Sequence, residues 1–385
     1  MKRITVLGAT GSIGASALDV IRTHPDAFSL AGAAVKKDAA GALSIAKEFG
    51  CASIAVEDEA AAEEIEKKAR MEGVRLYTGK NAAADLAKNT DADIVLVSTV
   101  GLSGLVPTLA AIEAGRTVAL ATKEVLVAAG EIVMKRAAEK GVRILPVDSE
   151  HSAIFQCIGN GREVATLTLT ASGGPFLDEP ASMDDVTVEM ALKHPRWKMG
   201  PKVTIDSATM MNKGFEIMEA RWLFDCDVKR IKTVVHPESI IHSLVTFTDG
   251  ATLAQLAPPD MRIPIQYAFT WPERIPSQRA ELDLADIGSL TFREANEIRF
   301  PCLRLAREAC KAGGTAPAVL SAADEVAVRS FIEGAIRFAD IPRIVEETLS
   351  KVPILSCDSI ANVLEADRRA REFAEFAAFG MAVGN

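Results

Sequence analysis

The sequence predicts an α/β protein in three parts: a doubly wound parallel sheet at the N-terminus, a central α+β domain with a mobile lid, and a C-terminal helical domain. Three observations predict it. Short apolar runs alternate with amphipathic helical stretches through the first 147 residues, the pattern of parallel strands joined by crossover helices. A glycine-rich turn directly follows the first of those runs. From Cys302 onward, apolar residues recur at helical spacing.

The first strand is Ile4-Thr5-Val6-Leu7, followed at once by Gly8-Ala9-Thr10-Gly11-Ser12-Ile13-Gly14 and a helix with Ala17, Leu18, Val20 and Ile21 on its apolar face. Strand, GxxGxxG turn and helix form a variant of the dinucleotide fingerprint. Its glycines allow the tight turn and let backbone amides approach a pyrophosphate. A merely structural turn is the alternative. The second strand, Leu30 to Val35, ends in Lys36-Lys37-Asp38. Two lysines where an acid would meet a ribose hydroxyl favour a 2′-phosphate, and so NADP. Further strands are expected at 53–56, 94–98, 117–121 and 142–147, with helices at 59–71, 107–114 and 126–140. This first part, residues 1–147, is therefore expected to be Rossmann-like.

Two of these strands end in chemistry. Thr122-Lys123-Glu124 follows one and Asp148-Ser149-Glu150-His151 follows another. The carboxyl ends of strands are where ligands sit in such sheets. Asp148 and Glu150 can converge on one hard cation, with Ser149 free for a substrate oxygen. Read alone, the same four residues also suit a helix N-terminus.

The central part, 148–276, holds three further motifs. Ala171-Ser172-Gly173-Gly174-Pro175-Phe176 breaks an alternating strand at 167–170. His194-Pro195-Arg196-Trp197-Lys198-Met199-Gly200-Pro201 lies in an aperiodic interval, and a lid is expected over about 172–201, with Trp197 as its apolar face. In Asp206-Ser207-Ala208-Thr209-Met210-Met211-Asn212-Lys213-Gly214-Phe215-Glu216, either Asp206 or Ser207 is expected to cap a helix. Ser207, Asn212 and Lys213 together can hold a phosphate. Glu216 is a candidate third metal carboxylate, and Glu216 and Glu219 share a helical face. Oxygen ligands of this kind suit Mg2+ or Mn2+. A linker at 277–297 leads to the helical domain, 298–385, which shows little obvious chemistry.

Bulk properties narrow the function. The 385 residues are 49% hydrophobic and 25% charged, with a formal net charge of −9. That charge argues against nucleic acid or an anionic membrane as partner. Six scattered cysteines, Cys51, Cys157, Cys226, Cys302, Cys310 and Cys357, form no CxxC pair. Reduced thiols in a cytoplasmic protein are expected, without zinc, iron–sulfur or disulfide sites. The apolar run after Met1-Lys2-Arg3 is too short for a signal peptide, and no run approaches a membrane span.

Taken together, GATGSIG, TKE, DSEH, SGGPF, HPRWKMG and DSATMMNKGFE resemble the 1-deoxy-D-xylulose 5-phosphate reductoisomerases of non-mevalonate isoprenoid biosynthesis, over nearly the whole chain. The resemblance implies an NADPH- and divalent-metal-dependent enzyme, working with Mg2+ or Mn2+ and Co2+ as a further option, and a homodimer. Its substrate would be a phosphorylated sugar, rearranged in carbon skeleton and then reduced. By motif, Asp148, Glu150 and Glu216 would bind metal, with Lys123, Glu150 and Glu216 catalytic. Lys123, Ser149, Glu150 and Glu216 would meet substrate oxygens, and Ser172, Ser207, Asn212 and Lys213 its phosphate, under a lid bearing His194 and Trp197. Thr10, Gly11, Ser12, Ile13, Lys36, Lys37, Thr122, Glu124, Gly200 and Met261 would touch the cofactor. Two departures stand out: Thr122 and Val125 where Asn and Ser are common in the family, and Lys36 and Asp38 where Gly and Asn are familiar. The competing readings are an NADP-dependent dehydrogenase that leaves the carbon skeleton intact, and a non-catalytic NADP sensor. A sensor has no need of three metal-binding acids.

Overall fold

The computed structural model describes residues 1–159, 163–178, 182–197, 199–277 and 281–384; Lys198 of the HPRWKMG motif lies outside them. The chain forms two compact units.

The first unit comprises Met1–Val125, Val133–Ser152 and Asp260–Arg279. Its elements run β1 Lys2–Leu7, α1 Ser12–Thr23, β2 Phe28–Val35, α2 Ala39–Phe49, β3 Ser53–Val56, α3 Glu59–Met71, β4 Arg75–Thr78, α4 Ala82–Asn89, β5 Ile94–Val97, α5 Leu105–Glu113, β6 Thr117–Leu120, the two ends of α6 Glu124–Lys140, β7 Ile144–Pro146 and the first turn of α7 Ser149–Ile158. All seven strands are parallel, in the order β4-β3-β2-β1-β5-β6-β7. The order reverses between β1 and β5, so the glycine turn after β1 stands at the crevice where such sheets bind nucleotides. β1, β5 and β6 are apolar because both faces of a parallel sheet are covered. The α/β doubly wound expectation holds. The sequence reading passed over β4, α2 and α4. β4 is a four-residue edge strand with exposed ends, and α2 and α4 are rich in alanine, which marks no sharp apolar stripe.

The second unit comprises Leu126–Ile132, Ala153–Pro259 and Ala280–Asn385. It contains β8 Val164–Ala171, α8 Val188–Ala191, α9 Pro201–Thr209, α10 Met211–Leu223, β9 Ile231–Val235, β10 Ile241–Phe247 and β11 Thr252–Leu256. After α11 Arg262–Thr270, which belongs to the first unit, come α12 Leu284–Ile287, β12 Arg293–Glu294, α13 Pro301–Ala312, α14 Ala316–Ile332, α15 Asp340–Lys351 and α16 Ile360–Gly384. The mixed sheet runs β11-β10-β8-β9-β12. β8 is antiparallel to β10, as its alternation implied, and parallel to β9.

This grouping by contact cuts the chain differently from the sequence division at 147, 276 and 297. The α11 segment packs with α1, where Phe269 meets Phe28 edge-on at 5.7 Å and Arg262 pairs with Asp19 at 2.9 Å. The C-terminal helices share one apolar core with the central sheet: Leu167 and Leu169 of β8, Phe215 of α10, Leu303 of α13 and Leu320 of α14 belong to the same cluster.

One expected boundary is corrected. Asp206 and Ser207 do not cap a helix; they lie in the last turns of α9, which begins at Pro201 after Gly200. A proline at the first helical position starts a helix as well as a polar cap does. The break comes at Met210, whose φ of 63° is left-handed and turns the chain from α9 into α10. For a non-glycine residue this costs of order 1–3 kcal/mol, a strain typical of functional junctions.

Candidate active site

In the first unit the glycine turn is sterically fixed. A Cβ on Gly14 would lie 2.2 Å from the Gly8 carbonyl oxygen, and one on Gly8 would lie 2.4 Å from that of Ser98. No side chain caps α1 at Gly11, so the amides of its first turn are left for an anion. Thr10, Gly11 and Ser12 are exposed around that turn, and Ile13 is half-buried. Lys36 and Lys37 are exposed beyond β2. Asp38, an awkward neighbour for a phosphate, turns away: its carboxylate accepts from the Gly41 amide at 2.9 Å and caps α2. These residues fit a dinucleotide phosphate. Thr122 is buried and donates to the Thr99 carbonyl at 2.6 Å. Its hydroxyl proton is therefore used inside the sheet end, leaving only an acceptor for a cofactor. Glu124 opens α6 and Met261 precedes α11, both half-buried.

At the ends of β6 and β7 the charged residues meet. The Lys123 ammonium lies 2.8 Å from Asp148 Oδ2, both groups nearly enclosed. The fully buried His151 places Nδ1 3.5 Å from the same oxygen, which gives this histidine a position behind Asp148. Burial opposes the charge of Asp148, but the Lys123 ammonium and the His151 ring outweigh it and hold the carboxyl well below the usual carboxylate range. Ser149 donates to Glu150 Oε2 at 2.8 Å. The Asp148 carbonyl accepts from the Ser152 amide at 2.8 Å, which starts α7. The helix-start reading of DSEH is borne out by the backbone, while the Asp148 side chain faces Lys123.

The second unit assembles three distant stretches. His194 Nε2 lies 3.1 Å from both Ser172 Oγ and Ser207 Oγ. Its Nδ1 accepts from the amides of Arg196 and Trp197 at 3.1 and 2.9 Å. A nitrogen accepting two N–H bonds carries no proton, so Nε2 holds it and donates to the serines. Burial pushes His194 down to about 4, which keeps the ring neutral. The serine hydroxyl protons are then free to point at an anion. Gly174, at φ 64°, lets the SGG turn close on α9: a Cβ there would lie 2.7 Å from the Ser207 carbonyl oxygen. On α10, Lys213, Glu216 and Glu219 are all buried, which excludes a solvated face. Asn212 donates to Glu216 Oε1 at 2.6 Å, and the Lys213 ammonium contacts Oε2. Asn212 and Lys213 stand in the first turn of α10, which no side chain caps. Trp197, half-buried, sets its ring edge-on to His242 with centroids 6.2 Å apart. Gly200 is the N-cap residue of α9.

Three family models match the sequence: 1-deoxy-D-xylulose 5-phosphate reductoisomerase over residues 4–130, its C-terminal domain over 144–224, and the DXP reductoisomerase C-terminal domain over 256–373. A 1-deoxy-D-xylulose 5-phosphate reductoisomerase of Chlorobium phaeobacteroides is 49% identical over 378 residues, covering 97% of this chain and 98% of the relative. The chain belongs to the 1-deoxy-D-xylulose 5-phosphate reductoisomerase family. A reductoisomerase of Cupriavidus pinatubonensis is 48% identical over 382 residues, with 97% of each chain covered. Among solved structures, the Zymomonas mobilis reductoisomerase in complex with NADPH aligns with a TM-score of 0.92 at 39% identity, over 98% of this chain and 99% of that one. A DOX-P reductoisomerase in complex with NADPH, fosmidomycin and magnesium aligns at 0.93 and 37% identity, with 98% of both chains covered.

In this reductoisomerase-family chain the sequence reading missed an ionic cluster that reaches into the C-terminal helices. Asp324 of α14 is wholly buried and pairs with Lys202 at 2.9 Å. The signal was present: a carboxylate inside the apolar run Ala318-Val319-Leu320-Ser321-Ala322-Ala323-Asp324-Glu325-Val326 needs a partner.

His242 supplies a pH prediction. Burial lowers its pKa from 6.5 to about 4, with Lys213 and His236 adding to the shift. Below 6.5 the unfolded chain takes up a proton that the folded chain refuses, so stability present above that pH is lost as pH falls toward 4. Between about pH 7 and about pH 5, urea unfolding of His242→Asn is expected to lose about 2 kcal/mol less than the parent. The same pH dependence in both proteins would rule out the assignment.

Proposed function

We propose that this chain converts 1-deoxy-D-xylulose 5-phosphate to 2-C-methyl-D-erythritol 4-phosphate, by skeletal rearrangement followed by hydride reduction, with NADPH and Mg2+ or Mn2+. The observation that carries this reading is Glu216, 1% exposed and bonded to both Asn212 and Lys213 on α10. A buried carboxylate so furnished is costly to keep, and a simple hydride-transfer enzyme needs none. Asp148, Glu150 and Glu216 would hold the metal; their all-oxygen donor set suits Mg2+. When bound, the metal supplies Lewis acidity for adjacent substrate oxygens and NADPH supplies the hydride.

The protein's own groups do the rest. Lys123 sets a second positive charge against the reacting oxygens, and Asp148 holds that ammonium in place. Ser149 and Glu150 orient a substrate hydroxyl. Ser172 and Ser207, their oxygens satisfied by His194, donate to the phosphate. Lys213 adds charge, and the uncapped start of α10 adds amides. His194 and Trp197 lie on a lid that closes over the substrate and excludes water. Thr10, Gly11, Ser12 and Ile13 cradle the NADPH pyrophosphate, Lys36 and Lys37 its 2′-phosphate, and Glu124, Gly200 and Met261 its remaining length. The proposed functional division at 147, 276 and 297 follows most of these tasks, those of Lys123, Gly200 and Met261 excepted. The chain works as a homodimer in the cytoplasm; among the described residues no helix is long and apolar enough to cross a membrane.

Incubation with 1-deoxy-D-xylulose 5-phosphate, Mg2+ and NADPH should consume NADPH absorbance, and fosmidomycin should stop it. No consumption with either Mg2+ or Mn2+ would overturn the proposal. Product carbon connectivity by NMR separates it from a dehydrogenase that leaves the skeleton intact.

A further inference from the structure

We propose that Lys202, Asp206 and Asp324 form a positioning clamp that sets Ser207 on α9 against Asn212 and Lys213 on α10, and thereby fixes the affinity for the substrate's phosphate. The proposal rests on the phosphate-binding reading of Ser207, Asn212 and Lys213.

The Lys202 ammonium is held from three directions. Asp206, one turn along α9, lies 2.5 Å away, and Asp324 of α14 lies 2.9 Å away. The Phe215 ring of α10 lies under it, 4.6 Å to the centroid. Both carboxylates are almost fully buried. An ion cluster of this kind adds little net stability, but each member is costly to misplace, so it selects one arrangement of the elements that bear it. Those elements are the two halves of the proposed phosphate site and the helical bundle behind them. Asp206 immediately precedes Ser207, and Phe215 lies two residues past Lys213.

The junction of α9 and α10 is a single left-handed residue, Met210, buried in the same apolar core as Ile205 and Phe215; apolar packing is non-directional, so the ion cluster supplies the register. α10 is seated on α13 through Gly214, where a Cβ would lie 2.4 Å from Ala306 Cβ. α9 is tied to α14 through Lys202 and Asp324. Both arms of the site are therefore registered on the same C-terminal bundle. Cys302 of α13 senses the cluster: burial, then Asp324 and Asp206, push its thiol well above the usual range.

The test is steady-state kinetics of the full-length protein with NADPH and Mg2+. Asp324→Asn keeps the Lys202–Asp206 pair and cuts the tether to α14. The KM for the sugar phosphate and the Ki of inorganic phosphate should each rise about tenfold, with kcat and the KM for NADPH within about twofold of the parent. Asp324→Glu keeps the charge on a longer arm and should shift both constants in the same direction by less; it serves if the Asn variant does not fold. A fall in kcat with an unchanged phosphate Ki, or no change in either variant, overturns the clamp. Ser207→Ala is the control for the underlying reading: if it leaves the phosphate Ki unchanged, the phosphate assignment fails, whatever Asp324 does.

Discussion

Glu216→Gln is expected to lower turnover by about a thousandfold while leaving NADPH affinity within about twofold. The substitution keeps shape and removes one negative charge. In the parent, Oε1 accepts from Asn212 and Oε2 faces the Lys213 ammonium, so both oxygens work as acceptors. An amide has only one acceptor, and its NH2 must face a donor on one side or the other. The variant thus loses the proposed metal charge and disturbs Asn212 and Lys213 at once. Thermal unfolding measured beside turnover separates the two effects. Mn2+ affinity, followed by electron paramagnetic resonance, should fall with turnover. Near-parental turnover would remove Glu216 from the site.

The second large effect belongs to the cofactor. Gly14→Ala should weaken NADPH binding about a hundredfold. Its Cβ would sit 2.2 Å from the Gly8 carbonyl oxygen and 2.6 Å from that of Ala9. Both obstacles are backbone, so α1 must retreat from β1 and carry its N-terminal amides away from the pyrophosphate. Gly11→Ala is the graded comparison: its Cβ meets the Gly8 oxygen at 3.2 Å, a contact that a small shift relieves. Fluorescence titration with NADPH should rank parent, Gly11→Ala and Gly14→Ala in that order. Equal affinities would mean that the turn does not hold the pyrophosphate.

Much of this was legible in the amino-acid order because the relevant physics is local. Ser53–Val56 and Glu59–Met71 form the expected elements to the residue, since a β-branched apolar run and a capped, charged 3.6-period stretch each specify themselves. The helix start at Pro201 was not legible. Asp206-Ser207 makes as good a cap by composition, and only packing puts Asp206 against Lys202 instead. Nor was the pairing of Ser172, His194 and Ser207 as hydroxyls on one imidazole. The family resemblance assigned all three to the substrate, but the tautomer that frees the hydroxyl protons depends on two backbone amides meeting His194 Nδ1. The resemblance named the candidate site residues; the arrangement of donors and acceptors around them came from the fold.

The route of the chain has a consequence for how the molecule is made. α11 completes the N-terminal unit, with Phe269 against Phe28 and Arg262 on Asp19, yet it is specified more than a hundred residues after α7. A ribosome adding ~5–20 residues per second reaches it ~10 s after the seventh strand has emerged. During that interval the nascent nucleotide-binding sheet stands without the helix that covers Phe28. A fragment ended after Ser152 would hold it there permanently. The N-terminal unit is therefore completed only once α11 has been made, and it is not one contiguous N-terminal piece of the chain.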